Sequence, residues 1–122
     1  APRQPLPAVS NDPLLRFEGV AGSERLKAAA RAGDTAAFIE LGNRHLEGRG
    51  APRDARTAAL WFERAADAGS APAKFRLGAM YREGRGLERN PKLAFKYFQS
   101  AAEQGNARAM YNAAVLLAEG IN

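Results

Sequence analysis

Two glycine-rich stretches and one histidine are where this sequence offers residue types that do chemistry. "EGRGAPRD" covers 47–54 and "EGRGLERN" covers 83–90. Glycines around an arginine can cradle a phosphate when successive backbone N–H groups converge on the anion. That chemistry needs glycines that follow a strand and lead straight into a helix, usually with a lysine and a serine or threonine. Neither stretch meets those terms. His45 is the only histidine and there is no cysteine. A histidine cluster, a thiolate metal site and a disulfide are therefore all excluded. As a general base, His45 would need a nucleophile or carboxylate held against it. Glu47 is near in sequence but points elsewhere on a helix. No catalytic residue, cofactor or metal is expected.

The arginines repeat. Arg49 and Arg85 occupy equivalent places, as do Arg53 and Arg89, with Arg56 and Lys92 one turn on. If the units stack, these six form a basic edge. With 18 basic against 13 acidic residues, the net charge of +5 is an excess and not a basic tail. Such an edge suits an acidic peptide, a phosphorylated segment, a lipid surface or nucleic acid. Nucleic acid fits least, because no aromatics are interleaved for base stacking.

The elements that place these residues emerge from a shift of the sequence by 36. Asp34 then meets Ser70 and Asn106. Leu41-Gly42 meets Leu77-Gly78, Gly48 meets Gly84, Trp61-Phe62 meets Tyr97-Phe98, and Gly69 meets Gly105. A period of this length means stacked supersecondary units. Each unit reads as two helices. Helix A starts after Asp34, Ser70 or Asn106, side chains that accept from free N–H groups of a first turn. Helix B starts after Asp54 or Asn90. Gly48 and Gly84 lie just past an apolar helical face, where a glycine closes the last turn at positive φ. The glycine stretches are therefore expected to be structural turns. Helices are expected at about 22–32, 35–47, 55–68, 71–83, 91–104 and 107–119, and nothing alternates as a strand would.

These residues resemble the Sel-one-like repeat family, relatives of the tetratricopeptide repeats. The first unit supplies Ala37, Leu41, Gly42, His45, Gly48, Gly50, Asp54, Ala58, Trp61, Phe62, Ala65, Ala66 and Gly69. The second supplies the equivalent set 36 residues later, with Tyr81, Asn90 and Tyr97 at the places of His45, Asp54 and Trp61. Departures are His45 and Leu117, where the family has tyrosine, and Ala113-Ala114 in place of Leu-Gly. The resemblance implies an all-α fold, an α/α solenoid built as a right-handed superhelix of antiparallel helix pairs. It implies a scaffold or adaptor role and no catalysis. The alanine- and arginine-rich style also resembles repeat segments of bacterial envelope proteins, including polar-localisation factors and proteins with peptidoglycan-binding modules.

On this reading residues 1–21 are a proline-rich linker or N-terminal cap, and "LLRFEGV" packs on the first helix. Residues 22–122 form the solenoid: a half repeat 22–33, repeats 34–69 and 70–105, and a truncated repeat 106–122. The chain begins at Ala1 and reads as a piece of a longer protein. No apolar run reaches the length of a membrane span, and the compartment is not legible. On a 100° wheel, Ala37, Leu41 and His45 mark the core side of helix A. Ile39, Asn43 and Leu46 then face away, with Phe75, Arg82 and Tyr111 at related places. Either the superhelix buries Ile39, Phe75 and Tyr111 between units as core, or these six are the candidate partner groove for a peptide or protein segment; the basic edge is the alternative site, for an anionic polymer or surface. The last helix is expected to expose Met110, Ala113, Ala114 and Leu117, a face suited to self-association.

Overall fold

A computed structural model of the chain describes residues 12–121. The expected linker therefore lies, up to residue 11, outside the described residues. A short 3-10 helix, Pro13–Arg16, precedes six α-helices: α1 Glu24–Arg31, α2 Thr35–Glu47, α3 Ala55–Asp67, α4 Ala71–Glu83, α5 Pro91–Glu103 and α6 Ala107–Ala118. No strand occurs among the described residues. Each helix packs on the next in chain order, which makes the chain an all-α solenoid of helix pairs.

The caps are those the sequence supplies. Asp34, Ser70 and Asn106 accept from Ala36, Ala73 and Ala109 N–H at 2.9, 3.2 and 2.9 Å. Asp54 and Asn90 cap α3 and α5. The first helix is shorter than expected. Gly22 and Ser23 have φ of 67° and 40°, left-handed values that cannot belong to an α-helix, so Ser23 becomes the cap and α1 starts at Glu24.

The two glycine turns are built alike. Gly48 and Gly84 have φ of 71° and 70°. Arg49 and Arg85 N–H donate to the carbonyls of Arg44 and Met80, at 3.0 and 2.9 Å. Asp54 and Asn90 N–H reach back to the carbonyls of His45 and Tyr81, both at 2.8 Å. These N–H groups are thus spent on closing helices α2 and α4.

Small residues set the helix spacing. A Cβ added at Gly42 would fall 2.6 Å from the Phe62 ring, and one at Gly78 would fall 2.7 Å from Phe98. Each ring sits against a glycine of its own unit's helix A. The N-terminal segment packs on α1 and on α3 alike. Phe17 stacks on Trp61 at 6.0 Å and 5°, with the Arg31 guanidinium of α1 over its ring at 5.0 Å.

Asp12 fixes this segment. Its carboxylate accepts from both Arg64 and Leu14 N–H. The Arg64 hydrogen bond holds the carboxyl below its ordinary value of 3.8. A depressed folded pKa gives stability that is present above the ordinary value and lost as pH falls through the folded one. Asp12→Asn should therefore melt lower than the parent at neutral pH, with the gap closing below about pH 4. Melting curves measured from neutral pH downward check this; a gap independent of pH would mean that the Asp12–Arg64 pair contributes nothing.

Candidate partner-binding face

Helices α2, α4 and α6 carry the row expected to receive a partner. Ile39 and Phe75 are half-buried, and Tyr111 is 71% exposed. Phase alone makes them equivalent; their neighbours make them differ. The Phe75 ring sits 5.8 Å from Phe98 on α5. Tyr111 has no such ring beside it among the described residues. Asn43 is half-buried.

Leu46 departs from its expected place. It is 9% exposed and belongs to the core with Phe38 and Leu41. The buried residues of α2 are Ala37, Phe38, Leu41, Gly42, His45 and Leu46, two adjacent rows instead of one. A solenoid helix touches neighbours on both sides, so its buried arc is wider than a single 37-41-45 stripe. Arg82 is already engaged: its guanidinium donates to Asn112 at 3.0 Å and to Glu119 at 3.3 Å, tying α4 to α6. On α6, Met110 and Leu117 are 50% and 60% exposed and Ala114 is exposed. Ala113 is buried, against expectation, because it lies one turn beyond fully buried Ala109 on the side that faces α5.

The six basic residues do not form one uniform strip. Arg49 donates to Glu40 at 3.2 Å and to Glu47 at 3.3 Å. Arg89 donates to the Arg82 carbonyl at 3.1 Å. Arg56 and Lys92 are exposed in the first turns of α3 and α5. Arg53 and Arg85 instead meet across a cavity of about 360 Å³, with Asn43, Leu46, Glu47 and a further arginine, Arg76. The sequence reading passed over Arg76. Its signal was there: the 36-residue shift sets Arg76 against Glu40, so one charge is reversed at equivalent places.

Possible catalytic groups are otherwise occupied. His45 is buried, and its Nδ1 lies 2.9 Å from the Pro52 carbonyl. A carbonyl only accepts, so Nδ1 carries the proton. Asp54 and Thr57 line the same cavity as His45. Yet the Thr57 hydroxyl donates to Asp54 at 2.8 Å, which also draws the Asp54 carboxyl below its ordinary value. The Arg44 hydrogen bond lowers Glu40 in the same way. Glu63 moves upward, by burial first and then by the Asp67 charge. Burial also raises Tyr81 and Tyr97, whose rings stack at 5.8 Å. No group of three or more His, Cys, Asp or Glu among the described residues is placed to hold a metal. None of the described helices is long and apolar enough to cross a membrane.

The family model for the Sel1 repeat matches residues 37–70, 71–106 and 107–122. No curated protein matches the chain. Among solved structures, a Sel1 repeat protein from Oxalobacter formigenes is 34% identical, with a TM-score of 0.75 over 80% of this chain and 40% of its own. A protective antigen of uropathogenic Escherichia coli strains, displaying an SLR fold, is 38% identical, with a TM-score of 0.67 over 69% of this chain and 18% of its own. The cysteine-rich protein B of Helicobacter pylori is 26% identical, with a TM-score of 0.67 over 70% of this chain and 64% of its own. The match thus spans less than two thirds of each of these chains. Repeats matched from residue 37 onward, caps and glycine turns that recur every 36 residues, and the shared solenoid architecture make this chain a member of the Sel1 repeat family, whose repeats are protein–protein interaction modules.

Proposed function

We propose that this chain is the adaptor segment of a larger bacterial protein and that it binds an extended or helical segment of a partner across α2, α4 and α6. The observation that carries the reading is the row itself: Ile39, Phe75 and Tyr111 are large side chains one unit apart on helix A, and each keeps surface open to solvent. Exposed aromatics on a rigid helix are the residues that anchor partner segments in pockets or grooves. The rest of the row narrows the contact. Phe75 offers only part of its ring, Asn43 offers a polar edge, and Leu46 supports the surface from beneath.

The test places a photo-crosslinking side chain at position 111, and as a control at exposed Gln99 on α5, in cells that make the full-length protein. A discrete partner is expected from position 111 and not from 99. With that partner purified, Tyr111→Ser should weaken binding by about tenfold, the scale of one aromatic anchor. Arg49→Glu should leave binding nearly intact, because Arg49 is bonded within its own unit. Phe75→Ser would also weaken capture, but it disturbs the Phe98 contact, so Tyr111 carries the test. Equal crosslinking from both positions, or a crosslink joining only two copies of this chain, would remove the reading.

A further inference from the structure

The repeat supplies its own control for the charged cavity. In the first unit, Arg49 has a carboxylate from the helix before it: Glu40 accepts from it at 3.2 Å, and from Arg44 at 2.8 Å. In the second unit the residue equivalent to Arg49 is Arg85, and the residue equivalent to Glu40 is Arg76. The fold that brings an acid to an arginine in one unit brings an arginine to an arginine in the next. Arg53, from the turn of the first unit, borders the same cavity of about 360 Å³. None of Arg53, Arg76 and Arg85 makes a side-chain hydrogen bond or ion pair among the described residues. The carboxylate at the rim, Glu47, is bonded by Arg49 at 3.3 Å. Three like charges around one exposed space attract an anion to it.

We propose that this cavity is a docking site for side-chain carboxylates of an acidic peptide segment in a partner protein. The inference rests on the reading that the chain binds a partner segment, and it names the chemistry of that segment. Guanidinium forks match carboxylates two hydrogen bonds at a time. Asn43 at the wall can donate or accept, as a peptide backbone requires, and Leu46 gives an apolar floor. A nucleic acid fits less well, because no aromatic side chain borders the cavity to stack a base.

The experiment titrates the 122-residue chain with a fluorescein-labelled glutamate-rich peptide, its glutamine counterpart and a single-stranded oligonucleotide of equal charge. The glutamate peptide is expected to bind and the glutamine peptide not to bind. Arg53→Gln, Arg76→Gln and Arg85→Gln should each weaken binding about fivefold or more, the scale of a charge-assisted hydrogen bond, while Arg49→Gln changes little. Arg76→Glu is the sharpest variant. It copies the register of Glu40, so it should pair with Arg85, leave the melting temperature unchanged and abolish binding. No binding of the glutamate peptide, equal losses for Arg49→Gln and Arg76→Gln, or tighter binding of the oligonucleotide would each overturn the proposal. The Tyr111→Ser chain should still bind the glutamate peptide, so failure at the cavity and failure at the Tyr111 row are read apart.

Discussion

Trp61→Ala is expected to lower the unfolding free energy by about 3–5 kcal/mol, the usual range for emptying a large aromatic from a core. Trp61 is 1% exposed. Phe17 stacks on it at 6.0 Å and Phe38 at 5.8 Å, with the Arg64 guanidinium 5.8 Å from the ring. Three elements therefore meet on one side chain: the N-terminal segment, α2 and α3. Truncation leaves a cavity there and also frees the segment that closes this end of the solenoid. A solenoid is held by contacts between neighbouring units, so loss at an end unit frays that end first. The variant should show a broader transition as well as a lower midpoint. Trp61 is the only tryptophan, so the transition must be followed by circular dichroism. A double-mutant cycle with Phe17→Ala should give a coupling of about 0.5–1.5 kcal/mol. A loss under about 1 kcal/mol for Trp61→Ala would mean that the aromatic cluster is not a core.

That cluster also marks the limit of what the sequence discloses. Helices α2 to α6 were legible because each carries its own signals: a capping side chain, an apolar stripe and a closing glycine, repeated 36 residues apart. Such signals are local, and repetition checks them. Phe17 and Trp61 are far apart in sequence, and no periodicity links them, so only the contact with the first helix was expected and the stack on α3 was not. Leu46 and Ala113 failed for a related reason. A wheel fixes the angle between residues, but the width of the buried arc depends on how many neighbours the helix has. Arg76 is the opposite case. Its charge is written in the alignment of the two units, as an arginine where the first unit has Glu40, but a repeat is defined by the positions that match and not by one that differs.

Gly86→Ala is expected to cost about 2–5 kcal/mol, while Gly50→Ala, at the equivalent place in the first unit, costs only about 1–2 kcal/mol. Both glycines hold positive φ, 73° and 68°, so the conformational penalty for a side chain is shared. Their surroundings differ. A Cβ at Gly50 would have a single neighbour within reach, an Arg44 nitrogen at 3.9 Å. A Cβ at Gly86 would fall 2.5 Å from the carbonyl carbon of Ala55 and 2.6 Å from its oxygen. Those are backbone atoms in the first turn of α3, and they cannot rotate away as a flexible side chain does. The second unit's turn and the first unit's helix B must therefore separate to admit one methyl group. The extra loss at Gly86 measures how firmly adjacent units are joined, apart from the turn itself. Chemical denaturation of the two variants in parallel reads it directly. Equal losses would mean that the units give way at this junction, and that the spacing on which the arginine cavity depends is soft.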